Sequence, residues 1–267
     1  MPGLFTILSP AKTLDMEGGE GLNFEASRPR HSAKTTTLAK ELEGYSSGKL
    51  EKLMSISAKL AKENATRWNV FGERSNPRGA AAMCFRGDVY QGLEAWTMKK
   101  TALTWAQDRI RILSGLYGLL RPLDTIQPYR LEMGTRLKTG EGANLYEFWG
   151  SSIKKTLLSD MKDAGAKTLV NLASDEYSKA ARLSELDLPV VDVKFLQVDG
   201  GKSKFVSFYA KRARGLMARW MADHRPRTLS DLNGFNTEGY TFDSTSSEDS
   251  LLVFSRPKPA AVKKSAG

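Results

Sequence analysis

Residues 4–13 read LFTILSPAKT, and this stretch decides the fold class. The apolar run Leu4–Leu8 predicts a first β-strand, which Pro10 stops. The polar segment Ser9-Pro-Ala-Lys-Thr then predicts a loop at the carboxyl end of that strand, where α/β proteins commonly bind ligands. The segment lacks the glycines of a nucleotide-binding P-loop. Lys12 therefore either binds phosphate or is simply exposed.

Strands and helices alternate along the rest of the chain. Further strands are predicted at Thr168–Leu172, Val190–Val198 and Leu251–Phe254. Apolar residues at helical spacing predict two or three helices within 35–68, and further helices over 103–113, 145–161 and 208–223. Because no repeat and no linker interrupts this pattern, we predict one mixed α/β (α+β) domain over residues 1–256. The Pro- and Lys-rich residues 257–267 predict a disordered basic tail.

Composition restricts the cellular setting. The chain has 267 residues and one cysteine, Cys84, so no intrachain disulfide is possible and a reducing compartment is expected. Cys84 is interpreted as a small buried hydrophobe, with a redox-sensing thiol beside Arg86 as the alternative. The first residues do not resemble a signal peptide, and no apolar stretch approaches the roughly 20 residues of a membrane helix. We therefore predict a cytoplasmic protein with no membrane partner.

Positive charge is concentrated in three segments. The net charge is +10, and residues 202–227 alone carry eight Lys or Arg and one acid. Residues 109–138 carry six basic and two acidic residues, and residues 256–267 carry four basic residues and no acid. Such concentration is typical of proteins that bind polyanions.

The helix around 208–220 carries the densest of these charges. At about 100° per residue, its apolar residues lie on one side and its basic residues on the other. The basic side holds Lys211, Arg212, Arg214 and Arg219, with Gly215 among them. We expect the glycine to permit close approach of another backbone. A single-sign face favours phosphate contacts, and the alternative is a core helix with an ordinary solvated face.

Residues 113–122, LSGLYGLLRP, resemble a helix–hairpin–helix, because two apolar segments flank a turn with Gly115 and Gly118. The backbone N–H groups of such a turn can bind a phosphate, and Arg121, Arg130 and Arg136 could flank the same strand. The usual motif spaces its glycines one residue closer. The alternative is a purely structural turn.

Residues 171–177, NLASDEY, form a second polar cluster after a strand. Asp175 and Glu176 could act as general acid or base, or bind Mg²⁺. The alternative is a helix that begins at Ser174 with favourable acids in its first turn. Two histidines and one cysteine cannot build a common zinc site, so no resident metal or other cofactor is predicted.

Taken together, these segments resemble the YaaA family of bacterial peroxide stress proteins. The resemblance rests on seven stretches in family order: ILSPAKTLD (7–15), FRGDVYQGL (85–93), LSGLYGLLRPLDTIQPYRLEMGTRL (113–137), LYEFWG (145–150), NLASDEY (171–177), SFYAKRARGLMARW (207–220) and GFNTEGY (234–240). It implies a single-domain α/β fold of unusual topology, with a positively charged cleft and a helix–hairpin–helix-like element. It also implies binding of double-stranded DNA and protection against peroxide damage, associated with lower unincorporated iron. It implies no proven catalytic residue and no obligate protein partner.

Three hypotheses follow. In the first, the chain binds double-stranded DNA by shape and without catalysis, neutralising about five phosphates with a log–log salt slope near −4 to −5. Its contacts are Lys12, Gly115, Gly118, Arg121, Arg130, Arg136, Lys211, Arg212 and Arg214. In the second, the chain is an enzyme acting on a nucleotide or damaged base, with Lys12, Asp175, Glu176 and Lys211 converging. In the third, Asp175 and Glu176 bind iron weakly.

Overall fold

The computed structural model describes residues 3–19, 21 and 23–259 of the chain. Its strands are β1 (Gly3–Leu8), β2 (Thr13–Leu14), β3 (Gly79–Ala80), β4 (Phe85–Arg86), β5 (Ile110–Ser114), β6 (Gly118–Leu120), β7 (Thr125–Ile126), β8 (Ala166–Leu172), β9 (Val190–Asp199), β10 (Lys202–Lys204), β11 (Thr241–Phe242) and β12 (Leu251–Pro257). Its helices are α1 (Ser32–Glu43), α2 (Ser47–Met54), α3 (Ala58–Asn69), α4 (Ala81–Cys84), α5 (Asp88–Leu93), α6 (Lys100–Arg109), α7 (Leu145–Trp149), α8 (Ser152–Asp163), α9 (Asp175–Ala180) and α10 (Ser207–His224).

Eight strands form the central sheet in the order β11-β12-β9-β8-β1-β5-β6, with β10 beside the end of β9. The strands β12, β9, β8, β1 and β5 are mutually parallel, and β11, β10 and β6 run antiparallel to their neighbours. Leu4–Leu8 of β1 are all buried, as expected for a parallel strand covered on both faces. The predicted mixed α/β fold in one domain is thus confirmed.

The chain reverses its direction of travel across the sheet beside β1. It leaves β1 toward β5 and β6 on one side, and it returns to β8, β9 and β12 on the other side. The gap between β1 and β8 is therefore a topological switch point, where loops from two parallel strands diverge and leave a crevice. Both polar segments that follow predicted strands, at 9–13 and 173–177, begin at this crevice.

The three amino-terminal helices follow the leucine spacing of the sequence. Ser46 and Ser57 each accept a hydrogen bond from the backbone N–H three residues later, which fixes the starts of α2 and α3. Leu38, Leu42 and Leu50 are fully buried. The sequence predicted two or three helices within residues 35–68, and the structure has three there.

The helix α10 packs tightly on α5. A Cβ added to Gly215 would lie 1.7 Å from the carbonyl oxygen of Val89, and one added to Gly92 would lie 2.2 Å from the carbonyl oxygen of Arg212. No side chain fits at such separations, so both helices need glycine where they cross. The close approach predicted at Gly215 is confirmed. This helix crossing fixes how far the basic residues of α10 lie from the carboxyl ends of the strands.

The helix–hairpin–helix predicted at residues 113–122 is not present there. The helix α6 ends at Arg109, and residues 110–114 form the central strand β5, which pairs with β1 and β6. Gly115 and Gly118 therefore belong to a β-hairpin. The run Ile-Arg-Ile-Leu has the β-branched, apolar character of a buried strand, and its pairing with β1 outweighs the helical spacing of its apolar residues.

The hairpin turn is also closed to a phosphate. Gly115 and Gly118 are buried, and both contact Trp149. The indole N–H of Trp149 donates to the Gly115 carbonyl at 2.9 Å, and a Cβ at Gly118 would lie 2.7 Å from its ring. Gly118 has a φ of 69°, which suits glycine. This packing favours the structural alternative for the turn over a phosphate cradle.

Two smaller predictions need correction. The segment 145–161, predicted as one helix, forms two helices separated at Gly150. The predicted tail begins too early, because Pro257 pairs in β12 and the Lys258 N–H donates to the Val198 carbonyl at 2.9 Å. Of that tail, residues 260–267 lie outside the described residues.

Candidate functional site

A cleft of about 560 Å³ opens at the carboxyl ends of β1 and β8. Its walls come from five parts of the chain: residues 9–13 after β1, 86–90 at the start of α5, 129–132, 174–177 at the start of α9, and two residues of α10. The volume lies within the usual range of small-molecule sites, about 300–1,000 Å³. The cleft therefore has room for one ligand of about nucleotide size and none for a duplex.

Two serines join the loops that form the floor. The Ser174 N–H donates to Ser9 Oγ at 2.9 Å, and Ser9 Oγ donates to Ser174 Oγ at 3.2 Å. Tyr90 Oη of α5 donates to the Ser9 carbonyl at 3.1 Å. The two serine bonds connect residues 165 positions apart, and the tyrosine bond connects residues 81 positions apart. The switch-point crevice is thus held at a fixed width by side chains as well as by strand pairing.

On one wall of the cleft, the carboxylate of Glu132 pairs with two cations, Lys12 and Arg130. Lys12 Nζ lies 2.5 Å from Glu132 Oε2, and an Arg130 guanidinium nitrogen lies 3.2 Å from Glu132 Oε1. Lys12 is exposed, whereas the Arg130 side chain is only 17% exposed. Arg130 Nε is buried and has no hydrogen-bond partner in the described part of the chain. A buried donor without a partner costs free energy, so an acceptor bound beside Arg130 would be favoured.

The helix α10 contributes Lys211 and Arg214 to the opposite wall. Within the described ranges, neither side chain forms an ion pair with a carboxylate. Burial lowers the pKa of the Arg214 guanidinium, while the negative charges of Asp175 and Asp192 act in the opposite direction. Lys211 is exposed. These two cations are the ones most available to an anionic ligand.

Asp175 and Glu176 both line the cleft but differ in their surroundings. Asp175 is exposed. Glu176 Oε1 accepts a hydrogen bond from the Gly134 N–H at 2.8 Å, so this carboxylate fixes the neighbouring loop. Ser174 stands at the amino end of α9, as the structural alternative predicts, but its side chain bonds to Ser9 rather than capping the helix. Asp175 is therefore the acid with the freer carboxylate.

The tyrosines of the floor are neutral donors and acceptors. Burial raises the pKa values of Tyr90, Tyr129 and Tyr177 above the usual range. Tyr129 Oη shares a 2.7 Å hydrogen bond with Ser114 Oγ of β5. The three side chains line the floor of the cleft but are at most 7% exposed, so their rings are packed into the core beneath it.

The charged groups around the cleft are nearly balanced. Five basic side chains line it, namely Lys12, Arg86, Arg130, Lys211 and Arg214. Four acidic side chains line it as well, namely Asp88, Glu132, Asp175 and Glu176. This mixture differs from the positively charged cleft that the family resemblance implied. The five cations suit a ligand with one or two phosphates, and the four acids can contact another polar group of the same ligand.

Several predicted contacts lie outside the cleft. Arg121 Nη2 is 3.0 Å from Asp124 Oδ1, and Arg212 Nη2 is 2.7 Å from Glu238 Oε1. Arg136 is exposed and does not line the cleft. Of the basic residues assigned to DNA, the structure brings together Lys12, Arg130, Lys211 and Arg214 and leaves out these three. The enzyme hypothesis named a different set of four residues, and all of them line the cleft: Lys12, Asp175, Glu176 and Lys211.

Sequence reasoning missed Asp88 and Tyr90 at the start of α5 as lining residues. They belong to the stretch FRGDVYQGL, which carried part of the family resemblance but follows no long strand. The crossing of α5 and α10 at Gly92 and Gly215 and the hydrogen bond from Tyr90 to the Ser9 carbonyl hold them at the cleft.

Two properties of the described residues bear on metal sites and on membrane spans. Within residues 3–19, 21 and 23–259, no three His, Cys, Asp or Glu side chains are grouped as a metal site requires. No helix in that same part of the chain combines the length and apolar character needed to cross a bilayer. Cys84 is buried, and burial raises the pKa of its thiol to about 11, which confirms its interpretation as a buried hydrophobe.

Comparison with known proteins gives consistent matches along the chain. A family model described as "Peroxide stress protein YaaA" matches residues 4–246. The chain is 46% identical over 256 residues to a UPF0246 protein of Phenylobacterium zucineum, covering 96% of each. It is 44% identical over 256 residues to a UPF0246 protein of Caulobacter vibrioides, covering 96% of this chain and all of that one. A Cereibacter sphaeroides UPF0246 protein is 47% identical over 255 residues, covering 95% of this chain and 99% of that protein.

Proposed function

Because this chain belongs to the YaaA family of peroxide stress proteins and so has a role in the peroxide stress response, we propose that it acts there by binding nucleic acid. The ligand is double-stranded DNA, held through its phosphates at the rim of the cleft, with a single nucleotide unit entering the cavity. Binding is weakly sequence-specific, because phosphate contacts carry no sequence information directly.

One observation carries this proposal. Lys12, Arg130 and the α10 pair Lys211 and Arg214 come from three separate parts of the sequence and line one cleft at a switch point of a parallel sheet. Ligands of open α/β sheets bind outside the carboxyl ends of the strands at such points. Lys211 and Arg214 have no carboxylate partner among the described side chains, so a phosphate would add an attraction and break none.

The size of the cavity decides what enters it. A duplex cannot occupy about 560 Å³, whereas a nucleotide turned out of a duplex occupies a pocket of this scale in enzymes that act on bases. The unpartnered Arg130 Nε offers a donor beside this cavity.

The test measures how the affinity for a labelled DNA duplex depends on salt concentration, with fluorescence anisotropy as the readout. The variant Lys211→Ala/Arg214→Ala should bind all sequences more weakly and lower the magnitude of the log–log salt slope by roughly 2, since each lost phosphate contact removes about one unit. The matched control is Lys162→Ala/Lys167→Ala, which removes two exposed cations that do not line the cleft. Equal slopes for both double variants would reject this binding site.

A second function is favoured by the position of Asp175. Its carboxylate lies in the field of Arg214 and shares the cleft with Lys12, Glu176 and Lys211, as general acid–base chemistry on a bound nucleotide requires. Mass spectrometry of a duplex with one oxidised base, incubated with the protein, tests this. Turnover that Asp175→Asn abolishes while DNA affinity is kept would support an enzyme, and an unchanged duplex would exclude this reaction.

A further inference from the structure

A second groove lies along the amino-terminal half of α10, next to the cleft. Phe208, Tyr209 and Arg212 form one side of it, and Pro257 and Lys258 at the end of β12 form the other. The groove measures about 730 Å³ and is open to solvent. None of the contacts assigned above to the cleft lies in this groove.

Two phenyl rings around the start of α10, one of which lines this groove, are unusually exposed. Phe205 is 59% exposed and Phe208 is 54% exposed, and the other exposed large apolar side chain among the described residues, Leu60, is at 36%. Phe208 packs edge-to-face on Tyr209, with ring centroids 5.4 Å apart. Single exposed apolar residues are ordinary on protein surfaces, but two phenyl rings within four residues form a patch that the core does not use.

The charges around the patch are positive. Residues 202–211, KSKFVSFYAK, contain three lysines and no acid, and Lys202, Lys204 and Lys211 are exposed. The two nearby carboxylates are already neutralised. Glu238 pairs with Arg212 at 2.7 Å and with Arg256 at 2.9 Å, and Asp199 pairs with Lys258 at 2.9 Å. The surface thus combines exposed aromatic rings with exposed lysines, which is the composition of surfaces that bind single-stranded nucleic acid.

We propose that Phe205, Phe208 and the adjoining groove bind unpaired bases of a nucleic-acid strand by stacking, while Lys202 and Lys204 contact its phosphates. The inference rests on the proposed function, because the same strand would continue into the cleft. Phe208 and Lys211 are three residues apart on α10 and so lie on one face of the helix, and Lys211 lines the cleft. A strand leaving the cleft past Lys211 therefore meets Phe208 next.

This arrangement defines the substrate class more narrowly. Stacking on aromatic rings does not depend on base identity, and it requires bases that are not paired. The preferred ligand is thus DNA with a single-stranded stretch beside the nucleotide in the cleft. A fully paired duplex would use the cleft cations alone.

The experiment compares two labelled ligands, an oligothymidylate of about 16 nucleotides and a blunt duplex, by fluorescence anisotropy. For Phe208→Ala, the single-strand affinity should fall about tenfold or more relative to the duplex affinity, as loss of one stacked base predicts. Phe205→Ala should act in the same direction, and Phe208→Trp should restore the ratio. Leu60→Ala, which removes an exposed apolar side chain of α3, is the matched control.

The outcomes separate the two proposals. If the wild-type protein binds neither ligand in a salt-dependent manner, the proposed function fails and this inference fails with it. If it binds both and Phe208→Ala leaves the affinity ratio unchanged, only the stacking surface is rejected. Flotation with phosphatidylcholine–phosphatidylserine vesicles and light scattering complete the test. A Phe208-dependent association with vesicles or with a second copy of the chain, without a change in the affinity ratio, would overturn the assignment to nucleic acid.

Discussion

Gly215 of α10 faces the carbonyl oxygen of Val89 on α5 at a distance that leaves no room for a side chain. Because α10 carries Lys211 and Arg214, and α5 carries Asp88 and Tyr90, this contact sets the separation of two walls of the cleft. The geometry of the site thus depends on a backbone contact between two helices outside the sheet.

The variant Gly215→Ala should therefore destabilise the protein and widen the cleft together. We expect a loss of at least about 1–3 kcal/mol in the free energy of unfolding, the usual range for overpacking, because the new methyl group meets rigid backbone. Urea denaturation measures the stability, and anisotropy measures the DNA affinity. Gly48→Ala is the control, since Gly48 is exposed in α2 with open space around it. That change should be neutral or stabilising.

Ser9→Ala should weaken the link between the loops after β1 and β8. The change leaves the Ser174 N–H without its acceptor at 2.9 Å, which costs roughly 1–3 kcal/mol when the donor stays buried. We expect a lower urea midpoint and a severalfold loss of ligand affinity. Ser47→Ala, at an exposed position of α2, serves as control. A Ser9 variant that matches wild type in both measurements would show that strand pairing alone holds the crevice.

Stability at low pH should depend on Asp160. Burial opposes ionisation of this carboxyl, but the hydrogen bonds and charges of Arg30 and Arg111 outweigh it, so its pKa lies below the usual value. Arg111 is 5% exposed and lies 2.5 Å from the carboxylate. A group whose pKa is lowered by folding stabilises the fold above its unfolded pKa, about 3.9 for Asp. This contribution is lost as the pH falls through the lower, folded value.

Asp160→Asn should accordingly lose about 3–5 kcal/mol at pH 7, because it leaves a buried Arg111 charge without its partner. Its stability should also fall less steeply than that of the wild type as the pH drops below about 4. Thermal melts across the pH range give both quantities. Asp163→Asn changes an exposed acid of the same helix and should leave the pH dependence intact. Parallel acid profiles for Asp160→Asn and wild type would contradict this assignment.

Cys84 should be inert in the folded protein. It is fully buried, and burial raises the pKa of its thiol to about 11, so almost no thiolate is present near neutral pH. We expect no alkylation by iodoacetamide at pH 7.5 over hours and complete alkylation in urea, as measured by intact mass. Rapid labelling of the native chain would point instead to a peroxide-reactive thiol.

Local sequence patterns predict much of the scaffold but less of the site. The continuous apolar runs identify β1, β8 and β9, and the loops after β1 and β8 lead directly to Lys12 and Asp175. The pattern fails at Ile110 and Leu113, whose spacing suits a helix, because the pairing of β5 with β1 is a long-range contact that periodicity does not contain.

Charge counting fails for a related reason. Arg121 and Arg212 belong to the basic segments, yet Asp124 and Glu238 hold them as ion pairs outside the cleft. Composition counts each cation as free, whereas the fold decides which carboxylate it meets. The two cations of α10 that remain without such partners in the described chain, Lys211 and Arg214, can be recognised only once the walls are assembled.

The position of β1 also determines when the molecule can be completed during synthesis. Its neighbours in the sheet, β5 and β8, lie about 100 and 160 residues downstream, and a ribosome adds roughly 5–20 residues per second. Strand β1 therefore remains unpaired on both edges for many seconds. Unpaired strand edges can pair with other chains and so cause aggregation, or they can be bound by a chaperone. A nascent chain arrested before β8 would hold Ser9 without Ser174 and would have no ligand-binding crevice at all.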